Sequence, residues 1–329
     1  MLKRKVKDKT RSYQYCLENM KPEAGKLWSF IHRIDFHICE ILYPGIDGLD
    51  YFLYKFYDNG HSVRKTFITE GDLAKMVEAF NGDKKTRDWA RFRNKKRFNK
   101  KFKEYLGREW IGDGVSKSKF FEFCNSHEKL IIKPNGGLQG KGIFFSNPKN
   151  EKEMDALYKK VHRKGYIIEE VITQNPKLAT LHPQSVNTLR IYTTRSLRDG
   201  KLHITCAVIR IGRGNSKIDN YSSGGMVAEI DVDSGIVVSN AVDEAGNEFS
   251  RHPDTNIRIK GFEIPQWGKV KQSVLKAHEQ VKDLGYIAWD VVVLEDDSVI
   301  FLEANLYGGV HMQQQPSLTG KKEIYKNLM

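Results

Sequence analysis

Residues 286–309 read YIAWDVVVLEDDSVIFLEANLYGG, and the fold reading starts from them. Two apolar, β-branched runs flank Asp296 and Asp297, which is the pattern of an antiparallel hairpin. If those aspartates form a two-residue loop, cross-strand partners carry numbers that add to 593, and Asp290 stands opposite Glu303. Side chains alternate along a strand, so Asn305 shares the face of Glu303. Two carboxylates and an amide oxygen would converge there, the carboxylates' Cβ atoms about 4.5 to 5.5 Å apart. Like charges so placed repel unless a cation lies between them, and hard oxygen donors with open positions suit Mg2+ shared with phosphate. The competing reading is a wet face on which the pair is incidental; Asp-Asp is also a weaker turn signal than Asn-Gly.

Upstream of this hairpin the chain consists of short β-branched runs divided by glycine, with strands expected at 129–133, 142–145, 166–171, 189–194, 202–211, 226–231 and 235–238. Helical periodicity predicts helices over 151–163 and 267–284. Within this region LIIKPNGGLQGKGIFF (130–145) is a strand ending at Lys133, then a loop with Gly136, Gly137, Gly140 and Gly142, then a returning strand. Glycines let backbone N–H groups approach phosphate oxygens, and Lys133 and Lys141 add charge. The Walker template fails, because Gly142 and a strand follow where Ser or Thr and a helix are required. A glycine-rich loop alone also fits a plain flexible hairpin. GYIIEEVITQNP (165–176) sets Glu169 and Glu170 at the end of an apolar strand, which suits an adenine edge or an ordinary strand terminus. SVNTLRIYTT (185–194) buries Arg190 inside a strand, where a guanidinium is costly without an anionic partner. DNYSSGGMV (219–227) offers Asn220 and a second glycine pair, Gly224 and Gly225.

The 329 residues carry a formal charge of +13, unevenly spread: residues 1–120 hold 27 basic and 16 acidic side chains, a net of +11. That part reads as helical, with apolar spacing over 26–42 and 70–80 and Thr69 placed to cap the second helix. From Lys84 to Lys103 eleven basic residues and one acid interleave with Trp89, Phe92, Phe98 and Phe102. Such a stretch is either a nucleic-acid surface or an amphipathic helix with a buried aromatic stripe and a solvated face; the second is favoured. No run approaches the roughly 18 apolar residues of a membrane span, and no apolar signal core opens the chain, so the cytoplasm is the expected location. Four scattered cysteines point to neither a disulfide framework nor a zinc site.

Taken in order, lysine strand, glycine loop, Glu-Glu-Val strand end, in-strand arginine, Asn with Gly-Gly, then Asp and Glu-x-Asn, the chain resembles the ATP-grasp superfamily. It is most similar to the sugar-transfer-associated ATP-grasp proteins of capsule and exopolysaccharide gene clusters, over roughly residues 99–312. The resemblance implies an α+β class and an ATP-grasp fold, two α+β subdomains clasping ATP: a helical basic region at 1–98, a small lid subdomain at 99–170, and a C-terminal subdomain with the metal site at 171–329. It implies Lys133 on the α and β phosphates, the loop from Gly136 to Gly142 as lid, and Glu169, Glu170 and Val171 as adenine hinge. Arg190 would meet the γ-phosphate or acyl phosphate, with Asn220 beside it in the catalytic set, and Asp290, Glu303 and Asn305 would hold magnesium. Of Lys100 and Lys101, Lys101 is favoured as the upstream nucleotide lysine. His182 and His311 would touch ribose or acceptor, unless they are hydrogen-bonded structural histidines. Ser222, Ser223, Gly224, Gly225, Gly308, Gly309 and Gln313 would line the acceptor pocket. Ser222 and Ser223 stand where ribosomal-protein glutamate ligases carry basic residues, and the first 95 residues do not look like a Rossmann-like first domain.

The implied chemistry is ATP-dependent carboxylate–amine ligation through an acyl phosphate, with ATP and Mg2+ as cofactors. The partners would be a small-molecule or glycan carboxylate and an amine acceptor, in the decoration of a polysaccharide precursor. A phosphotransferase on the same scaffold is the first alternative, a nucleic-acid-binding module the second. No specific nucleic acid is expected, and the basic excess is read as a surface for an anionic partner such as a nucleotide-sugar, an acidic glycan or the inner face of a membrane.

Overall fold

The computed structural model describes residues 12–82, 87–136, 142–162 and 165–329. Gly137, Gly140 and Lys141 of the glycine loop lie outside the described residues. The described chain begins with helices α1 (Tyr13–Met20), α2 (Lys26–Leu42), α3 (Gly48–Leu53) and α4 (His61–Arg64). Their aromatic residues, among them Tyr13, Phe36, Tyr51 and Phe52, gather into a core of their own. Arg64 fixes α4 to α2 by a bidentate pair with Asp35, both bonds 2.8 Å.

At Ile68 the chain leaves that core and enters a larger one. Helix α5 (Glu70–Asn81) starts with a capping box between Thr69 and Asp72, and α6 (Arg87–Phe92) and α7 (Lys95–Lys101) follow. The basic run is therefore two short helices, and its aromatics face inward: Phe102 meets Trp289 edge to face at 5.3 Å, and Phe92 does so at 5.8 Å. The helical region expected to end at 98 is thus two pieces, and the second packs with the C-terminal sheet. Its apolar stripe needs a partner surface, and the nearest one is supplied by residues nearly two hundred positions later.

A small unit follows with a third core. Strands β1 (Trp110–Gly112), β2 (Leu130–Pro134), β3 (Phe144–Ser146) and β4 (Tyr166–Glu170) form an antiparallel sheet in the order β1-β4-β2-β3. One face packs Leu130, Ile132 and Ile168 against α8 (Lys117–Ser126) and α9 (Glu151–Val161). By alternation the other face carries Lys129, Ile131, Lys133 and Glu169. Neither β1 nor α8 is signalled by the sequence patterns: β1 is three residues long and α8 mixes lysines with phenylalanines.

The C-terminal unit is built on strands β5 (Leu189–Arg195), β6 (Leu202–Ile211), β7 (Met226–Glu229), β8 (Ala241–Val242), β9 (Glu248–Phe249), β10 (Tyr286–Val293) and β11 (Val299–Asn305). They pair antiparallel in the order β11-β10-β5-β6-β7-β8-β9. α10 (Pro176–Ala179) precedes the sheet in the chain, and α11 (Trp267–Glu279) covers one of its faces with Val270, Val274 and Ala277. α12 (Val310–Gln314) and α13 (Lys322–Lys326) close the chain. The stretch expected as a strand at 235–238 makes only single bridges, because Gly235 (φ 76°) turns there beneath Trp267. The helix expected to reach 284 ends at Glu279.

The hairpin at the centre of the sequence reading differs in its loop. Val293 pairs with Val299, and Leu294 accepts from Asp297 N at 3.0 Å, so the loop is the three residues Glu295–Asp297. Asp297 sits in the left-handed region (φ 64°), which an aspartate tolerates. Its carboxylate is held there by Asn175 and Gln266, each at 2.8 Å. Near the loop partners therefore add to 592. A β-bulge at Leu302 restores 593, so Asp290 opposes Glu303 and Ala288 opposes Asn305. Two departures from the simple hairpin cancel at the position that matters.

Candidate active site

The two sheets face each other across a cleft of about 730 Å³. Lys133 and Ile131 of β2, with Lys129 just before it, line the small-unit wall; Arg210, Asp290 and Glu303 line the large-sheet wall; Glu169 to Gln174 connect them.

On the large sheet Arg190, Asp290 and Glu303 form one cross-strand row over β5, β10 and β11. Arg190 grips Asp290 through two bonds, Nε to Oδ1 at 2.7 Å and Nη2 to Oδ2 at 2.8 Å. Arg210, from β6, reaches the same Oδ2 at 3.2 Å and pairs with Asp219 at 2.9 Å. Burial pushes the Asp290 carboxyl up, but the two guanidiniums more than offset this and hold it below the usual carboxylate range; Glu303 also lies within hydrogen-bonding reach of it. The anionic partner that the in-strand Arg190 demands is thus Asp290 itself. Arg210 has the same signal, an arginine within the apolar run CAVIRI, and the sequence reading passed over it.

On the small unit Lys133 Nζ donates to Glu169 Oε2 at 2.6 Å. Arg108 donates to Glu169 Oε1 at 3.1 Å and Asn99 to the same oxygen at 3.0 Å. Glu169 is 1% exposed, and burial, which raises its pKa, is outweighed by Arg108 and Lys133, which drive it well below the ordinary value. Burial lowers the Lys133 pKa, and Glu169 opposes that shift. The Glu169 carboxylate is therefore occupied in holding two cations, while its neighbour Val171 is part-exposed in the cleft. Glu170 lines the cleft too, with its carboxylate accepting from Glu109 N at 2.9 Å. Arg108 also donates to the carbonyls of Phe301, at 2.7 Å, and Leu302, at 3.3 Å. One buried guanidinium thus joins the small unit to the bulge that sets the Glu303 register. Nothing in the local sequence around Arg108 signals this, because its partners are 61 and about 193 positions away.

The other expected residues are placed as follows. Lys95 reaches Glu303 at 3.3 Å and lines the cleft, whereas Lys101, at the other end of α7, is not in the lining. Gly136 is exposed, and Gly142 (φ 79°) turns against Pro134. Asn220 lines the cleft; Ser222, Ser223 and Gly224 are exposed just outside it, and Gly225 packs under the Asp219 carbonyl. His182 is buried away from the lining, its nitrogens bonded to Ser185 Oγ at 2.8 Å and Gly214 O at 3.0 Å. His311 bonds Asp50 at 2.7 Å, tying α12 to α3. Gln313 is buried between Tyr286, at 3.0 Å, and Tyr325, at 2.5 Å. Gly308 and Gly309 accept from the Tyr192 hydroxyl at 2.5 and 3.2 Å, and a Cβ on Gly308 would strike Ala288 and Tyr192. His182, His311 and Gln313 thus bind parts of the fold together, which for the two histidines is the structural alternative that the sequence reading left open.

Among the described residues no group of three His, Cys, Asp or Glu comes together. A cation site here rests on two carboxylates and one amide. Among the described residues Asp290 Oδ1 accepts one hydrogen bond, from Arg190 at 2.7 Å, leaving a lone pair, and Glu303 and Asn305 sit half-buried on one face of β11. That donor set is all oxygen and fits Mg2+.

Residues 110–327 match the family described as sugar-transfer associated ATP-grasp. No curated protein matches the chain. Solved structures that resemble it include the ATP-grasp ligase PsnB complexed with minimal precursor, Mg and ADP, with 13% identity, a TM-score of 0.46, and coverage of 80% of this chain and 67% of that one. Another is N5-carboxyaminoimidazole synthetase from Staphylococcus aureus complexed with ADP, with 12% identity, a TM-score of 0.43, and coverage of 67% and 46%. The match thus spans under half the length of the synthetase chain.

Proposed function

The chain belongs to the sugar-transfer associated ATP-grasp family, and from that premise we propose that it is an ATP-dependent carboxylate–amine ligase. The observation that carries the reading is the convergence, in one cleft between two sheets, of Lys133, Arg210 and the Arg190-held Asp290 with Glu303. Fixed cations face fixed oxygen donors across a space large enough for a nucleotide, which is the arrangement phosphoryl transfer needs.

In this reading a carboxylate oxygen of the acid attacks the γ-phosphorus of ATP and ADP leaves. The amine nitrogen then attacks the acyl carbon, loses a proton and expels inorganic phosphate. Lys133, kept charged by Glu169, sits to neutralise the phosphate chain from the small-unit side. Arg210 holds positive charge on the opposite wall, and Arg190, outside the lining, grips Asp290. Asp290, Glu303 and Asn305 would hold Mg2+, which supplies Lewis-acid charge for phosphate oxygens. The small unit shields the cleft from water, which would otherwise consume the acyl phosphate. The family description supports a sugar-linked acid or amine as substrate, in a pathway that decorates a polysaccharide precursor.

The test is to incubate purified protein with Mg2+, ATP and a panel of uronic acids and amino acids, following ADP, free phosphate and product mass. Free phosphate released only when acid and amine are both present is the expected result. Phosphate retained on the product would replace this reading with a phosphotransferase. Glu303→Gln should lower turnover by at least about two orders of magnitude.

A further inference from the structure

Segment 105–108 is moulded onto β11. The Tyr105 ring stacks on Phe301, with 4.8 Å between centroids and 3° between planes. Gly107 (φ 52°) lies so close to the strand that a Cβ there would be 2.3 Å from Ile300 Cγ2. Arg108 completes the contact by donating to the carbonyls of Phe301, at 2.7 Å, and Leu302, at 3.3 Å. Leu302 is the extra residue of the bulge and has no cross-strand partner in the β10–β11 register. Its carbonyl, immediately before Glu303, is thus held by Arg108. The same guanidinium reaches the small unit: Nη2 donates to Glu169 Oε1 at 3.1 Å, and Nε lies 3.0 Å from Oε2, the oxygen that also accepts from Lys133 Nζ at 2.6 Å. Both side chains of this link, Arg108 and Glu169, are buried. A planar fork of donors can serve a carboxylate and two carbonyls at once, which an ammonium on a flexible stem cannot.

We propose that Arg108 is a positioning residue that fixes the separation of Lys133, on one wall of the cleft, from Glu303, on the other. The inference rests on the ligase reading, in which Lys133 meets the phosphate chain and Glu303 holds Mg2+ on the same phosphates. A nucleotide without the ion depends on the Lys133 wall. A nucleotide carrying Mg2+ spans both walls, so the affinity it gains depends on their separation being set before it arrives. Losing the fork should therefore weaken the gain from Mg2+ more than it weakens binding of the bare nucleotide.

The test is calorimetric titration of the full chain with ADP, in EDTA and in Mg2+, for wild type and for Arg108→Lys. Lysine keeps a cation beside Glu169 and gives up the fork to the two carbonyls. The factor by which Mg2+ tightens ADP binding should fall at least about fivefold in the variant, the low end of ordinary coupling between two sites. Affinity in EDTA should change less than that factor does. Both titrations are run well below the variant's melting temperature, because a role confined to stability would lower that temperature and leave the Mg2+ factor alone. If Arg108→Lys does not fold, Tyr105→Leu, which removes the ring stacked on Phe301 and leaves every charge in place, is titrated and judged by the same factor. An unchanged factor, in a series whose wild type binds ADP more tightly with Mg2+, overturns this inference alone. A wild type that binds no ADP, or binds it without help from Mg2+, overturns the ligase reading and this inference together.

Discussion

Replacing Glu169 with glutamine asks whether this position supplies a buried carboxylate that fixes Lys133. The exchange keeps size and shape, so it opens no cavity, but it leaves Arg108 and Lys133 facing each other without an anion. Their side chains are 1% and 12% exposed, so water does little to screen them. Removing one partner of a buried ion pair costs about 3 to 5 kcal/mol, and here two cations lose their common partner. With a shift of about 2 to 4 °C per kcal/mol for a chain of a few hundred residues, the melting temperature at neutral pH should fall by roughly 6 °C or more. The pH dependence gives a sharper check. The folded-state pKa of Glu169 is depressed, so its contribution is present above the unfolded value near 4.5 and drains away as pH falls below it. The variant has no carboxyl to protonate. The gap between wild type and variant should therefore be full at pH 7 and should narrow steadily as the pH is taken below about 4.5. Melting curves at a series of pH values measure both. Equal stability at pH 7, or a gap that does not change in acid, would refute the account of Glu169 as the common anchor of Lys133 and Arg108.

Inserting an alanine between Leu302 and Glu303 pushes Glu303 one place along its strand, to the opposite face, and should cut Mg2+-dependent ADP release by about two orders of magnitude or more, while Leu302→Ala, which keeps the spacing, should stay near wild type; similar rates in the two proteins would argue against the register reading. Gly308→Ala places a methyl group against Ala288 and Tyr192, with the Tyr192 ring carbon only 2.6 Å away, and should cost about 1 to 3 kcal/mol by denaturant titration. His278 is buried, bonded at 2.7 Å to both Thr193 and the Leu284 carbonyl, and burial pushes its pKa down to about 4 from 6.5. The unfolded chain then binds a proton first, so stability should fall as pH drops from about 6.5 toward 4. His278→Gln should flatten that part of the profile, and an unchanged slope would assign the dependence elsewhere.

Much of the fold was legible because periodic patterns report local structure. The strands at 202–211 and 299–305 and the helix at 26–42 fall where spacing puts them. The short elements β1 and α8 were not, since three residues carry too few alternations to register and mixed lysine–phenylalanine spacing hides a helix. Within the site, opposition of Asp290 and Glu303 was legible from alternation even though the assumed loop was one residue short. In-strand Arg190 announced a need for an anion without naming it. The sequence reading weighed Lys100 against Lys101 and did not weigh Lys95, which the structure sets against Glu303, because helix phase relative to a distant sheet decides which lysine lines the cleft.

Sequence alone determined the residue types available to the cleft, the order in which they arrive, and the family to which they point, because strand alternation and glycine placement act over a few residues. Tertiary structure decided their tasks. Glu169 became the anchor of Lys133 and Arg108, Asp290 the partner of two arginines, and His182, His311 and Gln313 fastenings of the fold. A charge taken out of water must find its counter-charge wherever the folded chain brings one, and here the partner is mostly tens to hundreds of residues away.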